Sequence, residues 1–557
     1  MNEPYTTLQK QLEELYGSEQ SIKLTKLVEQ KVSALKSSDT AEPYKLSEKD
    51  VILITYGDQV QKENQSHLKS FLEFYQVYIK EIINTVHFLP FFPYSSDDGF
   101  SVINFREIDP NLGTWDDVTA IRKECRLMFD AVVNHISSQS EWFQHYLKKE
   151  DYEDYFHNLD PKTDVSEVVR PRTHPLLTPF KRGDETAYIW TTFSEDQIDL
   201  NFSSPALFVE MLDILFLYVT KGADLLRLDA IAFLWKEIGT NCLHHEKTHL
   251  WVQIVKTILR EIRKNTLIIT ETNVPHNENV SYLKKEEADL VYNFTLPPLL
   301  AHSVLTENTN TLQTWAESLS LPSEDVCFFN FTASHDGVGV RPVQGILTIE
   351  EIDNLAQTAK NHGGNVSFKD NGDGSQSPYE LNCNYFELLS HPDEEEQLRV
   401  QKFLCTQSAL LAMPGVPGIY FHSLFGSLNA HEEVQKTGRL RSINRKKLPI
   451  SVIVNELETE DSLRSKVYSQ YQSMLNQRKR LDFFNPFGKF SFPKFNDSIF
   501  TIERKNTTTK ESLFATHNFS SQPSSIQSYG AGSFTDILTN KPITELKPFQ
   551  YCWLVKK

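Results

Sequence analysis

Eight apolar runs of strand length, with helical stretches between them, dominate this chain from residue 51 onward. They are VILITY (51–56), TVHFLPF (85–91), RLMFDAVVNH (126–135), ADLLRLDA (223–230), TLIITET (266–272), DLVYNF (289–294), CFFNFTASHD (327–336) and GVPGIYF (415–421). Buried strands alternating with helices make a parallel sheet, and eight is the number that closes such a sheet into a barrel. The pattern therefore predicts an α/β protein built on a (β/α)8 barrel, the TIM-barrel architecture.

The spacing of the runs is uneven. The stretches from 135 to 223 and from 336 to 415 are each longer than one loop and one helix require. They predict two insertions above the barrel mouth, 137–205 after strand 3 and 338–395 after strand 7. The first carries VVRPRTHPLLTPFKRG; the second carries FKDNGDGSQSPYE, rich in turn residues. Residues 1–48 show apolar positions at helical spacing, with a break at Gly17, and predict a helical extension. The barrel is expected over 49–470. From about 471 to 557 the pattern turns to alternating strands, SIFTIERK, SLFATHNFS and YCWLVKK, which predict a small β domain.

Composition excludes some classes. A formal net charge of −18 over 557 residues argues against a general nucleic-acid binder. No apolar run reaches the length of a membrane span, and the first residues lack a basic, then apolar, secretory leader. Six scattered cysteines form no C-x-x-C pair, so reduced thiols and a cytoplasmic location are expected. Small-molecule substrates and a monomer or homodimer fit this profile.

In a β/α barrel, chemistry gathers at the C-terminal ends of the strands. Those ends carry His135, Arg227, Asp229, Glu271, His335 and Asp336. Taken singly, an acid at a strand end is as readily a helix cap. Three acids, two histidines and an arginine at successive strand ends suggest one site, and two carboxyls flanking an acetal are what glycoside chemistry requires.

DAVVNH (130–135), LLRLDAIAF (225–233), IITETN (268–273) and FTASHD (331–336) resemble, in order, the four conserved regions of the α-amylase superfamily. The likeness covers roughly residues 49 to 557. It implies Asp229 as nucleophile, Glu271 as general acid/base and Asp336 as transition-state stabiliser. Arg227 would orient Asp229, and His135 and His335 would hold sugar hydroxyls. Glu271 is then expected to titrate high and Asp229 low. An accessory module that has lost catalysis would lack a carboxylate, and all three are present.

HFLPFFPYSSDDGFSV (87–102), TTFSEDQIDLNF (191–202) and TGRLRSINRKKL (437–448) resemble the sucrose phosphorylase branch more narrowly. That resemblance implies Asp97, Phe100, Gln197 and Arg445 around a single glucosyl unit, a retaining mechanism, inorganic phosphate as co-substrate and no cofactor or metal. Asn134, often a calcium ligand in amylases, would have no such role here. Arg170, Arg172, Arg441, Arg445 and Tyr379 are the candidates for binding phosphate. The N-terminal extension and the segments 235–250 and 371–389 resemble glucosylglycerate phosphorylases. Lys236 and Arg441 are then candidates for a glycerate carboxylate. Glucosylglycerol, sucrose and sucrose 6-phosphate remain alternative substrates.

One short motif points elsewhere. HEKTH (245–249) fits the H-E-x-x-H pattern of zinc peptidases, which needs both histidines on one helical face and a third ligand. The nearest acid downstream at a strand end is Glu271, already given to proton transfer. The segment also reads as a helix packed on the barrel through Leu250, Ile254, Val255, Ile258 and Leu259.

Overall fold

The computed structural model describes residues 3–35, 44–371, 374–526 and 533–556. Parts of the predicted N-terminal extension (1–2 and 36–43) and of the turn-rich second insertion (372–373) lie outside the described residues.

All eight runs form strands: β1 (Ile52–Thr55), β2 (Thr85–Phe88), β3 (Arg126–Ala131), β4 (Ala223–Leu228), β5 (Leu267–Thr270), β6 (Leu290–Tyr292), β7 (Cys327–Asn330) and β8 (Val416–Tyr420). Each pairs in parallel with its sequence neighbours, and β8 closes on β1 through Ile52↔Gly418, Leu53↔Ile419 and Ile54↔Tyr420. The continuous apolar runs follow from burial on both faces, by the barrel interior and by the surrounding helices. Gly418 is required where the barrel closes, because a Cβ there would stand 2.2 Å from the Phe329 ring.

Helix α1 (Glu3–Leu35) consists of two helices joined at Gly17, whose φ of 78° and ψ of 167° interrupt the helical path. On either side of that break, Tyr5, Leu8, Leu12 and Leu15, then Leu24, Val28 and Val32, are buried. They lie on α2 (Pro205–Thr220) and α3 (Glu246–Ile262), the helices that flank β4 in sequence. Lys31 pairs with Asp213 at 2.8 Å, and the Tyr16 hydroxyl donates to the Phe202 carbonyl at 3.1 Å. The extension braces the outside of the barrel and stands clear of its mouth.

Between β3 and α2 lie a hairpin (Leu177–Arg182 with Glu185–Trp190) and a short antiparallel pair in which His135 faces Asp199 and Ser137 faces Gln197. After β7 comes a three-stranded antiparallel sheet, with Gln376–Asn382 between Val338–Gly339 and Asn365–Asp370. The boundary expected at 470/471 falls inside a helix, α5 (Leu463–Arg478). The polar periodicity of that helix hid its continuation past 470. A six-stranded antiparallel sheet begins only at Phe490 and includes Ile499–Lys505, Ser512–Asn518 and Tyr551–Lys556. It docks on α4 (Glu396–Ala412), where the Trp553 indole donates to Ser408 Oγ at 3.0 Å.

Candidate active site

Polar side chains interrupt the apolar strands near their C-terminal ends, and there they pair with one another. Arg227 on β4, 2% exposed, donates from Nη1 to Asp130 on β3 and, at 2.8 Å, to Asp229. Asp130 is held on its other oxygen by His87 of β2 at 2.7 Å. Glu271 stands 3.9 Å from Arg227 Nη2 and accepts the Ala230 backbone N–H at 2.9 Å. Ala230 takes a φ of 48°, a left-handed conformation an alanine adopts only under constraint. That turn aims its amide at Glu271 immediately after the Asp229 carboxyl.

Asp336 belongs to a second charged group. Arg441 forms an ion pair with it at 2.7 Å and grips both oxygens of Glu380, at 3.0 and 2.5 Å. Arg445 donates from Nε to the His335 carbonyl at 2.8 Å, and from Nη1 to Asp98 at 2.7 Å and Asp97 at 3.4 Å. Asp97 and Asp98 also sit at positive φ, 52° and 49°, held there by this arginine. The Phe100 ring stacks on His335 with centroids 4.5 Å apart and planes 3° from parallel. The antiparallel pairing of the short strands His135–Ser137 and Gln197–Asp199 brings the His135 and Gln197 side chains to the Phe100 carbonyl, at 2.9 and 3.3 Å.

Asp97, Phe100, His135, Gln197, Asp229, Glu271, His335 and Asp336 therefore line one pocket, together with Arg172, Tyr379 and Arg441. Arg227 supports it from the buried side, and Arg445 lines the vestibule that continues outward from it. Two predicted residues are elsewhere. Lys236 is buried with its ammonium on Asp199 at 2.7 Å and Asn134 at 2.8 Å, a fixed cation that locks the first insertion to the barrel rather than an acceptor contact. Arg170 is exposed and does not line the pocket. Helical and strand patterns place backbone, and neither revealed which neighbour each cation meets.

Burial pushes the Asp229 carboxyl well above the ordinary range; Arg227 opposes this, while Glu271, Asp130 and Asp336 add to it. The expectation of a low Asp229 is not met, because burial outweighs the attraction of Arg227. Glu271 is raised by burial too, with Arg227 opposing and Asp336 adding. Burial also disfavours the Asp336 carboxylate, but the guanidiniums of Arg441 and Arg445 outweigh it and hold the group low. His335 and His135 are depressed by burial, so both act as neutral hydrogen-bonding rings.

Several residues in or behind the pocket escaped the sequence reading. Asp130, Asp98 and Glu380 sit in quoted motifs and could have been found there. Phe193, Phe233 and Asn273 line the pocket and also lie in quoted motifs, whereas Arg341 lines it without any local signal.

The HEKTH histidines do not converge. His245 caps α3, accepting the Lys247 N–H on Nδ1 at 3.2 Å, and lies 3.4 Å from Glu237. His249 bonds Glu287 at 2.7 Å and stacks on Tyr282. Among the described residues no three metal-ligating side chains cluster, and no helix is long and apolar enough to cross a membrane.

Comparison with known proteins agrees with this geometry. Residues 76–336 match the family model of the α-amylase catalytic domain. The chain is 41% identical over 552 residues to a glucosylglycerate phosphorylase of Escherichia coli (strain K12), covering 98% of each chain. It is 45% identical over 477 residues, 85% of this chain and 81% of the relative, to a glucosylglycerate phosphorylase of Spirochaeta thermophila. In fold it matches the crystal structure of sucrose 6F-phosphate phosphorylase from Thermoanaerobacter thermosaccharolyticum with a TM-score of 0.72, at 24% identity and over 86% of this chain and 97% of that one. The chain belongs to the α-amylase family, within its branch of glycoside phosphorylases.

Proposed function

We propose that this chain catalyses the reversible phosphorolysis of 2-O-α-D-glucosyl-D-glycerate to α-D-glucose 1-phosphate and D-glycerate, with retention at the anomeric carbon. The observation that carries the acceptor is the 41% identity to a glucosylglycerate phosphorylase across 98% of the chain. The chemistry draws its support from the pocket. Asp229 and Glu271, both raised by burial, hold a proton between them. Arg227 donates to Asp229 at 2.8 Å and stands 3.9 Å from Glu271, so the negative charge rests on Asp229 and the proton on Glu271.

Asp229 attacks the anomeric carbon while Glu271 protonates the departing glycerate oxygen, leaving a glucosyl ester on Asp229. Glu271, now a carboxylate, takes the proton from the incoming phosphate as that oxygen displaces the ester. Asp336, kept ionised by Arg441, accepts hydrogen bonds from the glucosyl hydroxyls as positive charge develops on the ring. Asp97, His135, Gln197 and Arg445 close around the same unit, with Phe100 against its face. Arg172, which lines the pocket with its guanidinium over the Tyr379 ring, is the phosphate-binding cation.

The test is phosphate release from α-D-glucose 1-phosphate with D-glycerate, glycerol, D-fructose or D-fructose 6-phosphate offered separately, with and without EDTA. Release strongest with D-glycerate and indifferent to EDTA is expected. Preference for another acceptor would overturn the substrate, and hydrolysis without any acceptor preference would overturn the phosphorylase chemistry.

A further inference from the structure

The arginines that line or support the pocket fall into two groups. Arg227, Arg441 and Arg445 are each bonded to two acids: Asp130 and Asp229, Glu380 and Asp336, Asp98 and Asp97. Arg172 and Arg341 also line the pocket, and among the described residues neither forms an ion pair. Arg172 is at least stacked on an aromatic face. Arg341 has no such contact. A guanidinium that lines a pocket and is paired with no carboxylate is a site prepared for an anion.

The position of Arg341 says which anion. Glu271 must reach the oxygen of the departing group, so the acceptor lies on the side of Glu271 away from the glucosyl clamp. Thr272 and Asn273 follow Glu271 in the pocket wall. Against Asn273 packs the strand Val338–Gly339, so closely that a Cβ on Gly339 would meet the Asn273 amide at 2.8 Å. Arg341 begins the helical turn that comes two residues after that strand. The positive charge of Arg341 is felt by Tyr379 and by His244, in the segment leading into α3, so it stands where the second insertion faces that segment.

We propose that Arg341 is the specificity-determining residue for the acceptor, binding the carboxylate of glycerate across the pocket wall from Glu271. This rests on the glycerate reading above, and the experiment separates the two. In a ping-pong cycle the acceptor's kcat/KM reports only the half-reaction in which the acceptor enters. It is measured for D-glycerate and for glycerol, which has a hydroxymethyl in place of the carboxylate, in the parent, Arg341→Gln and Arg341→Lys.

Loss of a charge-assisted bidentate contact lowers the glycerate-to-glycerol ratio of kcat/KM about tenfold to a hundredfold in Arg341→Gln. Arg341→Lys, which retains charge but not the fork, recovers part of it. Equal falls for both acceptors, or an unchanged ratio in Arg341→Gln, would overturn the inference while leaving the glycerate reading intact. A parent enzyme with no preference for glycerate over glycerol would sink that reading itself, before any variant is made.

Discussion

The two sides of the pocket are built on opposite electrostatic plans. On the glucosyl side every guanidinium is neutralised: Arg227 by Asp130 and Asp229, Arg441 by Glu380 and Asp336, Arg445 by Asp97 and Asp98. On the acceptor side Arg172 and Arg341 face the pocket without an acid among the described residues. A neutral glucosyl unit needs fixed, mutually satisfied hydrogen-bonding groups, and internal pairing supplies rigidity without a net field. An anionic co-substrate needs charge that is still available. The same residue type thus serves as scaffold in one place and as ligand in the other, and its partners decide which.

The largest expected effect removes the nucleophile. Asp229→Asn lowers phosphate release from α-D-glucose 1-phosphate by about 10⁴-fold or more, the scale seen when a catalytic carboxylate of this kind is lost. The same variant sharpens the comparison through stability. Asp229 and Glu271 have folded pKa values above their unfolded ones. Their contribution is complete below the ordinary carboxylate range and is lost as pH rises through the raised folded values. Asp229→Asn should therefore melt no lower than the parent near pH 4 and progressively higher than it toward pH 8. Asp336 runs the other way: held low, it contributes stability above its ordinary range and loses it on acidification. A thermal melt series across pH reads both slopes, and a parallel shift at all pH values would contradict the assignment.

Next in size is the removal of a compensated arginine. Arg441→Gln leaves Glu380, 2% exposed, without its cation and Asp336 with only Arg445 at 3.7 Å, and the fold should lose about 3–5 kcal/mol, read by denaturant unfolding. Lys236→Met exposes Asp199 to the same penalty, of about 3–5 kcal/mol, with no change in the KM for glycerate, because the ammonium does not reach the pocket.

An uncompensated arginine behaves differently. Arg172→Gln should change stability by no more than about 0.5 kcal/mol, yet raise the KM for phosphate about tenfold to a hundredfold. A large loss of stability in Arg172→Gln would break the comparison.

The smallest effect concerns HEKTH. His245→Ala removes an N-cap and should cost about 0.5–2 kcal/mol of stability, with activity unaltered by EDTA before or after the change.

The pattern of apolar runs was enough to determine the barrel. Eight strands buried on both faces leave little choice of architecture, and each run became a strand that starts within a residue of the run, although those of 85–91, 126–135 and 327–336 end at Phe88, Ala131 and Asn330. Asp229, Glu271 and Asp336 were legible for a related reason: each follows a strand whose end is set by hydrophobicity, so its position at the mouth is a consequence of register. The same holds for Gly17, whose backbone freedom marked the break in α1.

Charge partnership was decided only in the folded chain. Lys236 and Arg170 looked as available in the sequence as Arg172, and Arg341 carried no signal at all. Asp199, which neutralises Lys236, lies 37 residues away along the chain, and Glu380, which occupies Arg441, lies 61 away. Hydrophobic periodicity is a local property and survives in one dimension. Whether a cation is paired or free depends on which distant acid the insertions bring to it, and that exists only once they have packed.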